Sequence, residues 1–218
     1  PRYDSSRKRD QTSERFFFDL GVSSMQFDQG YKGFSFSKEG PLDMRMDPES
    51  DLTAQEIVNV YSEQKLGEIF REYGEDPQWK KAAKAIVTAR RKKPIETTTQ
   101  LAEILTSALG MRRGGKLHPA TLIFQALRIV VNKELDAIQK GLTKALEFLS
   151  KGGKMGVISF HSLEDRLVKN IFRSACHRAK GTVAPFKLLT KKPWVPAFAE
   201  VRANPRSRSA KMRFIERI

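Results

Sequence analysis

The stretch Phe16-Phe17-Phe18-Asp19-Leu20-Gly21-Val22-Ser23-Ser24-Met25-Gln26 ends an apolar run on a single carboxylate. Three aromatics followed by Asp and then Leu-Gly-Val-Ser-Ser predict a buried strand that closes on an acid before a tight turn. In open α/β sheets, ligands bind beyond the carboxyl ends of strands, so Asp19 stands where a cofactor or substrate would. A strand-end cap or a local Asx turn explains the same residue without function.

Working outward, residues 1–15 are polar, mixed in charge and aperiodic, and are expected to form an irregular leader. Beyond the strand lies a loop bearing Gly30, Gly33 and Gly40. From Asp51 the pattern turns helical. Thr53 with Glu56 forms a candidate capping box, and Leu66, Ile69, Phe70 and Tyr73 recur at helical spacing. Asp76-Pro77 restarts a helix that must end before Pro94, and Thr97 to Thr99 opens another that stops at Gly110. A basic loop, Met111 to Lys116, precedes a long helical region expected from about Pro119 to Leu149, broken by Gly152-Gly153. Met155 to Phe160 predicts a second strand, Ser162 with Asp165 the cap of the next helix, and Gly181 to Glu200 a loop. The tail from Lys211 fits a closing strand. The order strand, helical block, long helix, strand, helix, strand is α/β, with the helical block inserted between sheet elements.

The 218 residues suffice for one domain or two small ones. Forty Lys+Arg against 25 Asp+Glu give a net charge of +15, which favours a polyanionic partner over a merely solvated surface. Leu122 to Val131, the most apolar helix, is interrupted by Gln125 and Arg128, so no membrane span is expected. One cysteine, Cys176, excludes an intrachain disulfide and fits a reducing cytoplasm. His118, His161 and His177 lack ligand spacing, so no metal is expected.

Three more segments carry chemistry-bearing residues. In Gly40-Pro41-Leu42-Asp43-Met44-Arg45-Met46-Asp47 the alternating charges could form a self-satisfied turn. In Ile158-Ser159-Phe160-His161-Ser162-Leu163-Glu164-Asp165-Arg166 a strand runs into a capped helix whose N-terminus points donors outward. There His161 is a candidate proton acceptor, and Phe160 is either a nucleobase platform or core. Asn204-Pro205-Arg206-Ser207-Arg208-Ser209-Ala210-Lys211 brings cations together: with Arg213, Arg206 and Arg208 are candidate phosphate contacts, as are Arg112, Arg113 and Lys116 in the basic loop.

Taken in this order with the Phe16–Gln26 stretch, these segments closely resemble the MraW/RsmH family of ribosomal RNA methyltransferases, from about Phe16 to the C-terminus. The resemblance implies a Rossmann-like methyltransferase domain (residues 16–48 and 119–218) with an inserted all-helical domain (49–118) that recognises substrate. It implies S-adenosylmethionine as cofactor, contacted by Asp19 and Gln26, and a cytidine amine of 16S ribosomal RNA, in the small subunit, as methyl acceptor. It makes the Gly40–Asp47 segment a family signature, with Asp43 and Arg45 as substrate-binding candidates. The family's glycine-rich strand–turn–helix is not matched here: neither Gly114-Gly115 nor Gly152-Gly153 follows a strand and opens a helix. The methyltransferase domain is therefore expected to be partial, lacking its N-terminal strands. A non-catalytic, basic RNA-binding remnant of such an enzyme is the alternative.

Overall fold

A computed structural model describes residues 12–21, 32–111, 117–177 and 184–218. It is α/β and divides into two compact units, one comprising residues 1–21 and 135–218, the other residues 22–134.

The first unit is built on a four-stranded mixed sheet. β1 (Ser13–Asp19) pairs in parallel with β2 (Leu149–Ser159), which pairs antiparallel with β4 (Lys211–Arg217), which pairs antiparallel with the short β3 (Phe186–Leu188). Alternation places Phe16 and Phe18 on the face that packs against Leu142, Leu146, Val168, Ile171 and Phe172. Phe172 is fully buried, worth about 1.5–3 kcal/mol by transfer from water. On the opposite face Phe17, Gly156 and Phe214 occupy one cross-strand row. The row needs glycine at its centre: a Cβ on Gly156 would lie 2.6 Å from Phe214 Cε1 and 3.1 Å from Phe17 Cδ2. Trp194, which bridges to Met212, packs its ring 5.0 Å from the Phe214 ring.

The second unit is helical: α1 (Ala54–Val60), α2 (Glu63–Glu72), α3 (Trp79–Arg90), α4 (Thr98–Leu109) and α5 (Thr121–Asn132). Its starts follow from local chemistry. Thr53 Oγ1 accepts from the Glu56 N–H at 3.1 Å, Ser62 Oγ from the Lys65 N–H at 3.2 Å, and Thr97 with Gln100 completes a reciprocal capping box. Gly110, at φ 71°, ends α4.

Several boundaries differ from expectation. Ser13 to Arg15, assigned to the leader, belong to β1, paired with β2. The long helix breaks at Lys133, which turns left-handed (φ 49°), giving α5 and then α6 (Glu134–Phe148). Gly152-Gly153 does not break a helix. It lies within β2, where the register with β1 shifts between Ser13 and Arg15. The stretch expected as loop before Glu200 holds β3 and the start of α8 (Phe198–Ala203).

The helical unit also exceeds the expected 49–118. Phe34, Leu42 and Met44 on one side, and Ile123, Phe124, Leu127 and Val131 of α5 on the other, join its core. Asn132 fastens these pieces together. Its Nδ2 donates to Met44 O at 2.8 Å and Arg128 O at 2.9 Å, and its Oδ1 accepts from Met46 N at 2.7 Å. Asn132→Ala leaves the Met44 carbonyl and the Met46 N–H without partners. It is expected to lower the urea-unfolding free energy by about 2 kcal/mol; a change within experimental error would show that water replaces the amide.

Candidate functional site

Parallel pairing makes the carboxyl ends of β1 and β2 coincide. Asp19 stands opposite Ile158, and the Leu20 N–H donates to Ile158 O at 3.0 Å. The amino end of β4 meets the same edge, Lys211 opposite Ser159. Immediately beyond β2, α7 (Ser162–Ala175) begins. Three segments distant in sequence, the end of β1, the β2–α7 junction and the start of β4, therefore converge on one sheet edge.

Asp19 is exposed, and its Oδ1 accepts from the Gly21 N–H at 3.1 Å, which forms an Asx turn. Among the described residues nothing bonds its Oδ2. The turn and an outward-facing carboxylate oxygen thus coexist. Gly21 is held under the Phe160 ring, where a Cβ would come within 2.7 Å of Cε2 and 3.3 Å of Asp19 Oδ1. Phe160, half-buried, therefore lies beside the carboxylate rather than within the core.

The cap of α7 is not the expected Ser162–Asp165 pair. His161 is the N-cap: its Nδ1 accepts from the Glu164 N–H at 3.4 Å, while Glu164 Oε2 accepts from the Phe160 N–H at 2.7 Å and the His161 N–H at 3.3 Å. His161 Nε2 lies 3.1 Å from Glu164 Oε1, close enough to form an ion pair when protonated but outside hydrogen-bonding alignment. Both ring nitrogens thus face Glu164, which is itself 1% exposed. His161 orders the Phe160–Glu164 turn, since its Nδ1 lone pair is committed to a backbone donor. Histidine is outside the usual capping set, so the sequence signal pointed one residue too far along.

The freed Asp165 does something else. Its carboxylate is gripped by Arg213, Nε–Oδ1 2.7 Å and Nη2–Oδ2 3.0 Å, with Lys211 Nζ 3.7 Å from Oδ2. Arg213, expected as a phosphate contact, is 7% exposed, and its guanidinium is engaged by this pair. Arg206 and Arg208 remain exposed, on the 3-10 turn Pro205–Ser209 that leads into β4.

In the helical unit Asp43 and Arg45 form the self-satisfied turn. Nε–Oδ1 is 2.8 Å and Nη2–Oδ2 2.9 Å, and Nη1 donates to Pro48 O at 2.9 Å and Ser50 O at 2.7 Å. The Arg45 hydrogen bond holds the Asp43 carboxyl below the usual carboxylate range, against the opposing effect of burial. Gln26, Arg112, Arg113 and Lys116 lie outside the described residues. Burial raises the Cys176 thiol, which keeps it protonated near neutrality.

Residues 4–218 match the MraW methylase family. The chain belongs to that family. It is 52% identical over 206 residues to ribosomal RNA small subunit methyltransferase H of Protochlamydia amoebophila, covering 88% of this chain and 65% of that protein. The proteins of the same name from Thermomicrobium roseum (50% identical, 92% of this chain, 64% of that one) and Neorickettsia sennetsu (53%, 92% and 66%) are similar. The chain thus spans 64–66% of the length of these curated relatives. Among the described residues no helix is long and apolar enough to cross a membrane. In this MraW-family chain, the sheet edge brings together an exposed acid, Asp19, the half-buried Phe160 ring and the α7 cap.

Asp165 gives a pH test of how that edge is held. Burial raises its pKa, but the hydrogen bonds and charge of Arg213, then Lys211 and Lys169, outweigh it, and the net shift is downward. A depressed carboxyl pKa contributes stability that is present above the unfolded value, about 3.9, and lost as pH falls through the folded value. Asp165→Asn is expected to cost about 3 kcal/mol at neutral pH, because Arg213 stays buried without its counter-charge. In urea titrations at decreasing pH, the gap between parent and variant should narrow once the parent's Asp165 protonates. A gap that persists unchanged into strong acid would refute the ion pair's role.

Proposed function

We propose that this chain belongs to an enzyme that transfers a methyl group from S-adenosylmethionine to the exocyclic amine of a cytidine in 16S ribosomal RNA. This rests chiefly on the outward Asp19 carboxylate at the carboxyl edge of a parallel strand pair, in a chain about half identical to proteins named ribosomal RNA small subunit methyltransferase H. That identity favours the enzyme over an RNA-binding remnant. The sheet unit then forms part of a Rossmann-like domain carrying the helical unit as a substrate-recognising insertion. Its further strands pair along the free edge of β1, where Phe17 is 61% exposed.

The residues present fit a sulfonium cofactor that carries an amino group. A carboxylate oxygen faces outward, and glycine at position 21 leaves backbone and aromatic ring in close contact beside it. When bound, S-adenosylmethionine supplies the electrophilic methyl. Asp19, with Gln26, binds the cofactor's polar groups. Phe160 offers a ring face against which a base is held, and the His161–Glu164 cap fixes that ring. An amine conjugated with its pyrimidine is a weak nucleophile, so aligning its lone pair with the breaking bond supplies much of the rate gain. Acceptors directed at its N–H groups offset the positive charge that develops. Asp43 and Arg45 act by shaping their turn, whereas Arg206 and Arg208, with Arg112, Arg113 and Lys116, contact phosphates.

The test uses the protein extended to the length of its relatives, incubated with small ribosomal subunits and S-adenosylmethionine labelled in its methyl group. Nucleoside analysis of the recovered RNA is expected to find the label in N4-methylcytidine. Label in another nucleoside, or none, would overturn the assignment. In the same assay Asp19→Asn, which keeps volume and removes charge, is expected to slow methylation at least about tenfold, the loss of ~1.4 kcal/mol of differential binding, with unchanged thermal unfolding. Methylation at the parent's rate would remove Asp19 from the site.

A further inference from the structure

The helical unit carries its strongest charge asymmetry on α3. Between Asp76 and Glu96 the chain has seven basic residues (Lys80, Lys81, Lys84, Arg90, Arg91, Lys92, Lys93) and no acid. At 3.6 residues per turn, Lys80, Lys81, Lys84, Thr88, Arg91 and Lys92 fall within an arc of about 120°. All six are exposed, whereas Ala82, Ala83 and Ile86 on the other side are buried in the unit's core. Arg90 differs: it turns inward, donating at 2.6 Å to both Val58 O and Tyr61 O.

Among the described residues, Lys81, Lys84, Arg91 and Lys92 of this arc have no carboxylate partner. Lys80 instead lies 5.1 Å over the Trp79 ring. On neighbouring α2 both cations are paired, Lys65 with Glu68 and Arg71 with Glu72. A solvated helix face commonly mixes both signs, because like charges at i,i+3 and i,i+4 destabilise a helix. This face keeps repulsive neighbours, Lys80 and Lys84 at i,i+4 and Lys81 and Lys84 at i,i+3, with no local compensation. Lys80 to Arg91 spans about 17 Å at 1.5 Å per residue, long enough to follow several successive phosphates.

We propose that this α3 stripe is an RNA phosphate-backbone docking surface of the helical unit. The proposal rests on the ribosomal RNA assignment above and names a surface for it. The occupant is RNA rather than an acidic protein segment because the arc offers cations and one hydroxyl without an apolar anchor, and protein interfaces depend on buried aromatic or apolar anchors.

The experiment measures binding of the 218-residue chain to a short, fluorescein-labelled single-stranded RNA of mixed sequence by anisotropy, between about 50 and 200 mM sodium chloride. The stripe variant is Lys81→Gln, Lys84→Gln, Arg91→Gln, which spares the Lys80–Trp79 contact. A charge-matched control replaces exposed cations of the sheet unit: Lys140→Gln, Lys151→Gln, Lys187→Gln. Circular dichroism checks that both keep the parent's helix content. With about 0.7 counterions released per contact, the stripe variant should bind roughly 100-fold more weakly at ~0.1 M salt, with a log–log slope shallower by about 2. The control should keep the parent's slope. Equal losses in both variants would mean that net charge alone governs binding, and would overturn the proposal. A stripe variant that binds like the parent would make α3 a solvated face, while leaving the RNA assignment standing. A parent chain that shows no salt-dependent RNA binding would overturn the proposal, while the methylation assay on the extended protein decides the assignment.

Discussion

The parallel ladder between β1 and β2 is the constraint on which the rest depends. Parallel strands cannot be joined by a tight turn, so a long connection must leave the end of β1 and return to the start of β2. In this chain that connection contains the whole helical unit and α6. The ladder also makes Asp19 and Ile158 neighbours, so a strand-end acid and the Phe160–Glu164 turn share one edge. Its register is enforced from both faces. A slip of one residue would turn Phe16 and Phe18 out of the core and bring Phe17 into it. It would also move Gly156 from beneath Phe17, where no larger residue fits.

Charge at that edge is sorted by depth. Arg213 and Glu164 lie below the surface and are matched, by Asp165 and by two backbone N–H groups respectively. An uncompensated charge there would be costly, so these side chains serve to hold α7 against β4 and to shape the turn before it. Asp19, one residue from the loop and exposed, needs no such compensation. Asp43 and Arg45 follow the same logic in the helical unit, where a bidentate pair closes the turn from within. Cations that remain outward without counter-charges, such as those on α3, are the ones available to a polyanion.

Much of this was legible in the residues. A strand ending on Asp19, the Thr53 and Thr97 caps, the end of α3 before Pro94 and the closing strand from Lys211 each depend on periodicity or chemistry within a few residues; that β1 lies at the sheet edge, with Phe17 exposed rather than buried, does not. The α/β order follows from them, and the matched motifs identified the family. The misplaced features share a different cause. The break at Lys133 is accompanied by the bonds from Asn132 to Met44 and Met46, 88 and 86 residues away. Arg213 reads as a surface cation in its local sequence because its partner, Asp165, lies 48 residues earlier.

By itself, the sequence determined most of the helices, the strands that end on Asp19 and Ser159 and the closing strand, and that an acid closes the first of them, because those are short-range consequences of side-chain type. Only the tertiary structure decided which charges are spent and which are offered. That depends on partners brought together by the β1–β2–β4 ladder and by the packing of α5 with residues 34–46. No local pattern distinguishes the Arg213 that grips Asp165 inside the fold from the Arg208 that stays outside, since both lie in the same basic run, and pairing across the sheet is what separates them.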